Sequence, residues 1–340
     1  MASDQGPVVQ SALLRNELIR LRKESGLTQE QVASALDWSP SKLIRVEGGR
    51  SAITKVDLDA LLARYGVTSE SSRDRLQSLN RGARERPWWA SYRDEIRATY
   101  LEYVGYETGA ASIRQFMAEA IPGLLQTPEY AEVLTSNSVD AVKVAPVVKL
   151  RLQRQAELAR RSGPPRQYYV IDESTIRRHV GIKQDPAIMP NQLRSLADRA
   201  EADERVTVRV MPFSAGAHVG LAGTFTLLEF DGALGDLLYF DSGRSSVLVS
   251  GDDLQIAQYA DDFETLLGEA LPAGESVDFI RKAAQDMSLS AGTYLAIGGE
   301  NEIVYTLRGE CRQGSGNSPS APAGSTPRPG SSADIGRPPD

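Results

Sequence analysis

The chain has 340 residues, 41% of them hydrophobic and 24% charged, the proportions of a soluble globular protein with room for two domains. No uninterrupted apolar run approaches the ~18 residues of a membrane span, and Met1 to Val9 lacks the basic start and apolar core of a signal peptide. A single cysteine, Cys311, excludes an internal disulfide and a cysteine-based zinc site, so a cytoplasmic protein is expected.

The formal net charge of −7 argues at first against a nucleic-acid partner. Its distribution argues otherwise. Residues 1–86 hold 14 Lys and Arg against 11 Asp and Glu, while the remainder holds 24 against 34. A mildly basic module on an acidic body is compatible with DNA binding, although so small an excess calls for a dimer or for specific contacts rather than bulk charge.

Residues 1–10 read as a disordered lead. A first helix follows on Leu14, Leu18 and Leu21, carries Arg15, Arg22 and Lys23, and stops at Gly26. Thr28 with Gln31 then forms a Thr-x-x-Gln capping box that opens a short helix burying Val32, Ala33 and Leu36. Asp37-Trp38 makes a tight corner. Ser39 caps the next helix and Pro40 occupies its first position, where a missing N–H costs nothing. At the helical step of about 100° per residue, Leu43, Val46 and Glu47 fall on one side with Pro40. Ser41 and Arg45 fall on the other, flanked by Lys42 and Ile44. A helix with an apolar back and a Ser/Lys/Arg front is suited to the major groove, where side chains reach base edges while the back packs on a scaffold.

Thr28-Gln29 to Ala33, followed by Ser39-Pro40-Ser41-Lys42-Leu43 to Arg50, resembles the helix-turn-helix of the Cro/repressor (XRE-type) family over roughly residues 11 to 66. The resemblance implies that Gln29 contacts DNA from the start of the first helix of the pair. It implies further that Pro40, Ser41 and Arg45 face bases, and that Ser39, Lys42 and Arg50 face phosphates. One departure is the corner, where the family has Gly and this chain has Asp37, a residue that tolerates the left-handed conformation. An ordinary helical bundle with a charged face is the alternative.

Thr54 with Asp57 reads as a second capping box, opening a helix that buries Leu58, Leu61, Leu62 and Tyr65, and a fifth helix spans 68–81. An all-α helix-turn-helix domain is thus expected over 11–84. Pro87-Trp88-Trp89 opens an aromatic helical linker over 85–106, read as a packed hinge because Ile96, Tyr100, Tyr103 and Val104 recur at helical spacing. Stacking of a nucleic acid on the tryptophans is the other reading.

Residues 107–287 read as an α/β domain with a mixed sheet carrying helices. Helices are expected near 110–119, 128–135, 142–161, 190–203, 252–270 and 275–287. Strands are expected at Gln167–Ile171, Arg205–Met211, Thr224–Phe230, Leu237–Asp241 and Ser246–Val249, partly antiparallel because short turns such as Asp231-Gly232 join them. Residues 288–308 read as a possible hairpin, with strands at Thr293–Ile297 and Ile303–Leu307. Residues 309–340, dominated by Gly, Ser and Pro, read as a disordered tail.

Signatures of catalysis are scarce, and no metal or cofactor is expected. His179 and His218 have no metal-ligand spacing; His179 reads as a surface or structural residue. His218 lies in the glycine-rich link Gly216 to Gly223 between two strands, read as a flexible loop, although such loops also line pockets. Asp172-Glu173 at a strand end has the form of an acid/base pair, but Ser174-Thr175 beside it suggests capping instead. Arg151 falls at the centre of an apolar stripe of Val144, Val147, Val148, Leu152, Leu158 and Ala159. A buried arginine there requires either an internal ion pair or an anionic ligand.

The segments Ile121-Pro122-Gly123-Leu124-Leu125-Gln126-Thr127-Pro128-Glu129-Tyr130 and Met211-Pro212-Phe213 to Gly223 are similar to the C-terminal domain of a large group of actinobacterial helix-turn-helix regulators. That domain has no established activity and supplies no catalytic residues; members are commonly described as antitoxin-like and are often encoded beside a small partner protein. The expectation is a sequence-specific regulator of double-stranded DNA, not an enzyme. Its C-terminal domain would serve dimerisation and the binding of a partner or ligand, with Arg151 and His218 as candidate ligand contacts. Two rivals remain: an antitoxin module that neutralises a small partner protein, and an enzyme domain fused to a helix-turn-helix.

Overall fold

The computed structural model describes residues 6–297, save 233, 242–245 and 252–253, and the side chains only as far as 289. Five helices come first: α1 (Pro7–Glu24), α2 (Gln29–Ala35), α3 (Pro40–Glu47), α4 (Lys55–Arg64) and α5 (Glu70–Gly82). Leu14, Leu18, Val32, Leu43, Leu58 and Leu62 are all buried in their common core. The Thr28–Gln31 capping box is closed in both directions. Asp37 takes the left-handed conformation, φ 53°, that the corner requires.

After a 3-10 turn (Trp88–Tyr92) and α6 (Ala98–Glu107), the chain builds a six-stranded sheet in the order β3-β2-β1-β4-β5-β6. The strands are β1 (Ser112–Met117), β2 (Arg166–Asp172), β3 (Val206–Met211), β4 (Phe225–Glu229), β5 (Leu237–Asp241) and β6 (Ser246–Ser250). β1, β2 and β3 are parallel, and β4, β5 and β6 join antiparallel on the far side of β1. The helices are α7 (Pro128–Ser136), α8 (Ala141–Ala159), the short α9 (Glu173–Arg177), α10 (Ile188–Ala202), α11 (Leu254–Glu269) and α12 (Ala273–Ile297). On one sheet face, α10 and α12 cover Tyr169, Val206 and Val208, while α6 and α8 cover Ile113, Leu228 and Tyr239. On the other, α11 packs Phe263 and Leu266 over Phe116, Val170 and Phe225. An all-α bundle followed by a mixed sheet with helices is the architecture expected. Among the described residues no helix is long and apolar enough to cross a membrane.

Four expectations need correction. The run 110–119, read as helix, is the central strand β1. Its helix-forming Gln, Met and Ala residues are overridden by pairing to β2 and β4, which buries Ile113 and Phe116 completely. Residues 7–10, read as a disordered lead, are the first turn of α1, with Val9 and Gln10 buried. Thr293–Ile297, read as a hairpin strand, closes α12. The remainder of that hairpin and the tail 309–340, with Cys311, lie outside the described residues. The Thr54 box is shared with a third residue: Thr54 accepts the Asp57 N–H, while the Asp57 carboxylate, lowered in pKa by Thr54 as well, also accepts from Lys42.

The start of α1 explains how the bundle is attached. Val9 and Ala12 lie in one core with Trp89, Tyr92, Leu101 and Val104, while Leu14 and Leu18 lie in the helical bundle. One helix therefore belongs to both. Contact with α6 and the turn after it is close because Gly105 and Gly109 lack side chains. A Cβ on either would come within 2.5–2.6 Å of a methyl of Val8 or Val9. The bundle and the sheet domain accordingly cluster as one unit.

Candidate nucleic-acid interface

The second helix of the pair, α3, is held from behind by one buried carboxylate. Glu47 accepts from Arg22 Nε at 2.7 Å and Nη2 at 3.0 Å, and from Gln29 Nε2 at 2.7 Å. These bonds join α1, α2 and α3. The Glu47 side chain is only 3% exposed, and its hydrogen bonds raise the Arg22 pKa above the ordinary arginine value. Leu43 and Val46 bury the rest of the back of α3.

Its front is open. Ser39, Pro40, Ser41, Arg45 and Arg50 are all exposed. Ser41 and Arg45, one turn apart, stand beside Ile44, whose side is 46% exposed. An exposed isoleucine between a hydroxyl and a guanidinium is poorly placed for folding. It is well placed for contact with a thymine methyl. Ser39 holds the N-cap position but makes no side-chain cap bond, which corrects the capping role expected of it and leaves its hydroxyl at the surface.

Two of the expected contacts are already occupied within the protein. Gln29 is bound to Glu47. The Lys42 ammonium lies 2.9 Å from Asp57 Oδ1 and 3.8 Å from the centre of the Trp38 ring. Burial works hardest on the Asp57 pKa and raises it, but the hydrogen bonds of Lys42 and Thr54, together with the Lys42 charge, outweigh it and hold the carboxyl below its ordinary value. The folded-state pKa lies below the unfolded one, so this contribution is complete above the ordinary carboxylate range and fades as pH falls through the folded value. Both side chains are partly exposed, and the clamp is worth under about 1 kcal/mol. Asp57→Asn should release the ammonium to the DNA backbone. The expected result is a dependence of DNA affinity on salt steeper by about one ion, measured by anisotropy titrations across a salt series. An unchanged slope would mean that Lys42 stays on Trp38.

The sheet domain redistributes the other candidates. Arg151 is half-buried on α8 and donates to Gln126 Oε1 at 2.9 Å, while its Nε is buried without a partner among the described residues. The buried arginine is Arg154, one turn on: the inner stripe of α8 is Leu150, Arg154 and Leu158, rotated from the one expected. Arg154 is paired with Glu107 of α6 through Nε and Nη2 and donates to the Tyr100 and Tyr103 hydroxyls. Periodicity alone missed this pair because Glu107 is 47 residues away.

Asp172 caps α9 through the Ser174 N–H at 2.8 Å, and Glu173 binds Arg177 and the Phe213 N–H. Both carboxylates thus have structural partners. His179 Nε2 lies 2.9 Å from the Pro186 carbonyl. His218 is not in a flexible loop: its side chain is 4% exposed, packs edge-on against Phe116 and has Nε2 3.6 Å from Asp172 Oδ2. The link around it folds into two 3-10 turns, with Gly220 against Phe116 where a Cβ would come within 2.4 Å of the ring.

Comparison with known proteins gives two matches. Residues 13–76 match a family model described as a helix-turn-helix domain, and residues 100–282 match one described as a domain of unknown function (DUF5753). No curated protein and no solved structure matches the chain.

Proposed function

We propose that this chain, which belongs to the DUF5753 family and is a helix-turn-helix DNA-binding regulator, is a cytoplasmic, sequence-specific transcription regulator of the Cro/repressor (XRE) type. The observation that carries this reading is the face of α3. Ser41, Ile44 and Arg45 stand exposed on a helix whose back is fixed by Glu47 and Leu43. Ser41 and Arg45 read bases in the major groove, Pro40 and Ile44 make apolar contacts, and Ser39 and Arg50 fix register on phosphates. Gln29 and Lys42 act first as supports of the helix pair, and Lys42 reaches the backbone once Asp57 releases it. The modest basic excess of the first 86 residues favours a homodimer on a two-fold site, with the sheet domain as the dimerising and effector-binding part. No catalysis is assigned to the chain.

Anisotropy of the purified protein on the DNA upstream of its own gene tests the reading, beside a scrambled duplex and Arg45→Ala at two salt concentrations. The native duplex should be preferred. Arg45→Ala should cost about 1–3 kcal/mol and relax preference at one base position. Equal loss on every sequence would reduce Arg45 to a phosphate contact, and equal binding of both duplexes by the parent protein would remove the sequence-specific reading.

The second reading is an antitoxin-like module that buries a small partner protein. Phe213, Val219 and Leu221, exposed on the link between β3 and β4, favour it. A stoichiometric complex that no longer binds DNA would select this reading over the first.

A further inference from the structure

We infer that the cleft at the carboxyl end of β1, between α6, α8 and the sheet, is an effector site for a small amino or hydroxy acid, its carboxylate held by Arg151. The inference rests on the regulator reading for its purpose, though not for its chemistry.

Topology sets the location. After β1 the chain adds β2 and β3 on one side, then returns to place β4 on the other. The strand order therefore reverses between β1 and β4, which sets the carboxyl end of β1 beside the start of the antiparallel β4. A cavity of about 170 Å³ lies there, reached by Met117 and Ala120 from β1 and its exit and by Thr224 from the approach to β4. Its floor is polar. Gln115, Thr226 and Tyr239 are directly paired across three strands, while Ile113 and Leu228 of the same face are fully buried in the core. The Tyr103 ring stacks on Tyr239 at 4.1 Å to form one wall.

Charge sets the ligand. Of the two arginines at the cavity, Arg154 is satisfied by Glu107, Tyr100 and Tyr103. Arg151 has no ion pair among the described residues, one hydrogen bond to Gln126, and a buried Nε without an acceptor. A guanidinium with free donors in a fork fits a planar oxyanion. Glu119 and Asp241 at the same cavity oppose a dianion such as phosphate and favour a monoanion carrying an ammonium or hydroxyl. The volume limits the ligand to roughly ten heavy atoms or fewer.

A route to DNA is built into α6. Its Tyr100 and Tyr103 meet the cavity, and its Gly105 meets Val8 of α1 at a distance that leaves no room for a Cβ. A ligand that shifts α6 therefore shifts a helix of the DNA-binding bundle.

The test uses the full chain in thermal unfolding with each standard L-amino acid, L-lactate and glycolate, and with ethanolamine and inorganic phosphate as probes lacking a carboxylate. At least one acid should raise the midpoint by about 2 °C or more, and ethanolamine and phosphate should not. Arg151→Gln should lose the shift while keeping wild-type affinity for DNA, which shows that it folds. Absence of a shift with every acid, a shift retained in Arg151→Gln, or a response to phosphate or ethanolamine alone would overturn the site. The stabilising acid should also change DNA affinity about fivefold or more in the parent protein but not in Arg151→Gln; unchanged affinity would overturn the effector role. A parent protein that binds the acid but no DNA would instead sink the regulator reading and leave the site standing.

Discussion

Glu107→Ala should destabilise the chain by about 3–5 kcal/mol, the largest effect expected of any single substitution outside the apolar cores. Glu107 and Arg154 have side chains 1% and 7% exposed, so the pair is withdrawn from water on both sides. Arg154 contacts both carboxylate oxygens, and the phenols of Tyr100 and Tyr103 accept two more of its donors. Tyr103 in turn donates to Glu107 at 3.0 Å; burial first, and then the neighbouring carboxylate, push its pKa well above the ordinary tyrosine value. Truncating Glu107 leaves a guanidinium in that surrounding with no counter-charge. Most of the cost is that stranded charge rather than the lost attraction, which makes a second variant informative. Replacing both residues together, Glu107→Leu with Arg154→Met, should recover most of the stability. Denaturant titration of the three proteins measures both effects. A loss under about 1 kcal/mol for Glu107→Ala would place the pair in solvent, in the range of surface ion pairs.

Glu47→Ala should cost about 3 kcal/mol and weaken DNA binding on every sequence alike. The carboxylate is the common acceptor of Arg22 and Gln29, and so the polar joint between α1, α2 and α3. Without it, Arg22, 14% exposed, loses its bidentate partner, and the back of α3 keeps only Leu43 and Val46. This loss differs in kind from that of Arg45→Ala. A loosened scaffold misplaces every reading side chain at once, whereas removing one reading side chain relaxes one position. Glu47→Gln, which keeps an acceptor but removes the charge, should fall between the parent and Glu47→Ala. Thermal unfolding and anisotropy on the native and scrambled duplexes separate the two kinds of loss. Full stability with a relaxed preference at one base would make Glu47 a reading residue instead of a support.

Short-range stereochemistry made one part of the molecule legible in the amino-acid order alone. The Thr28–Gln31 box, the left-handed Asp37 and the opposed faces of α3 involve residues no more than four apart. Caps and the helical period operate at that distance. The strands β2 to β6 were legible for the same reason, as apolar runs bounded by turn residues. The rest depends on long-range packing, because a polar side chain or an ambiguous segment takes its role from whatever the fold brings beside it. The run 112–117 is a strand since β2 and β4 flank it, although its residues favour a helix. Val9 is ordered because Gly109, just after α6, leaves room for it. Lys42 and Gln29, readable as DNA contacts, turn inward to carboxylates 15 and 18 residues away. Arg154, not Arg151, took the internal ion pair, which leaves Arg151 with no ion pair among the described residues at the reversal of the sheet. Such partnerships depend on distances across the folded chain, which no local pattern carries.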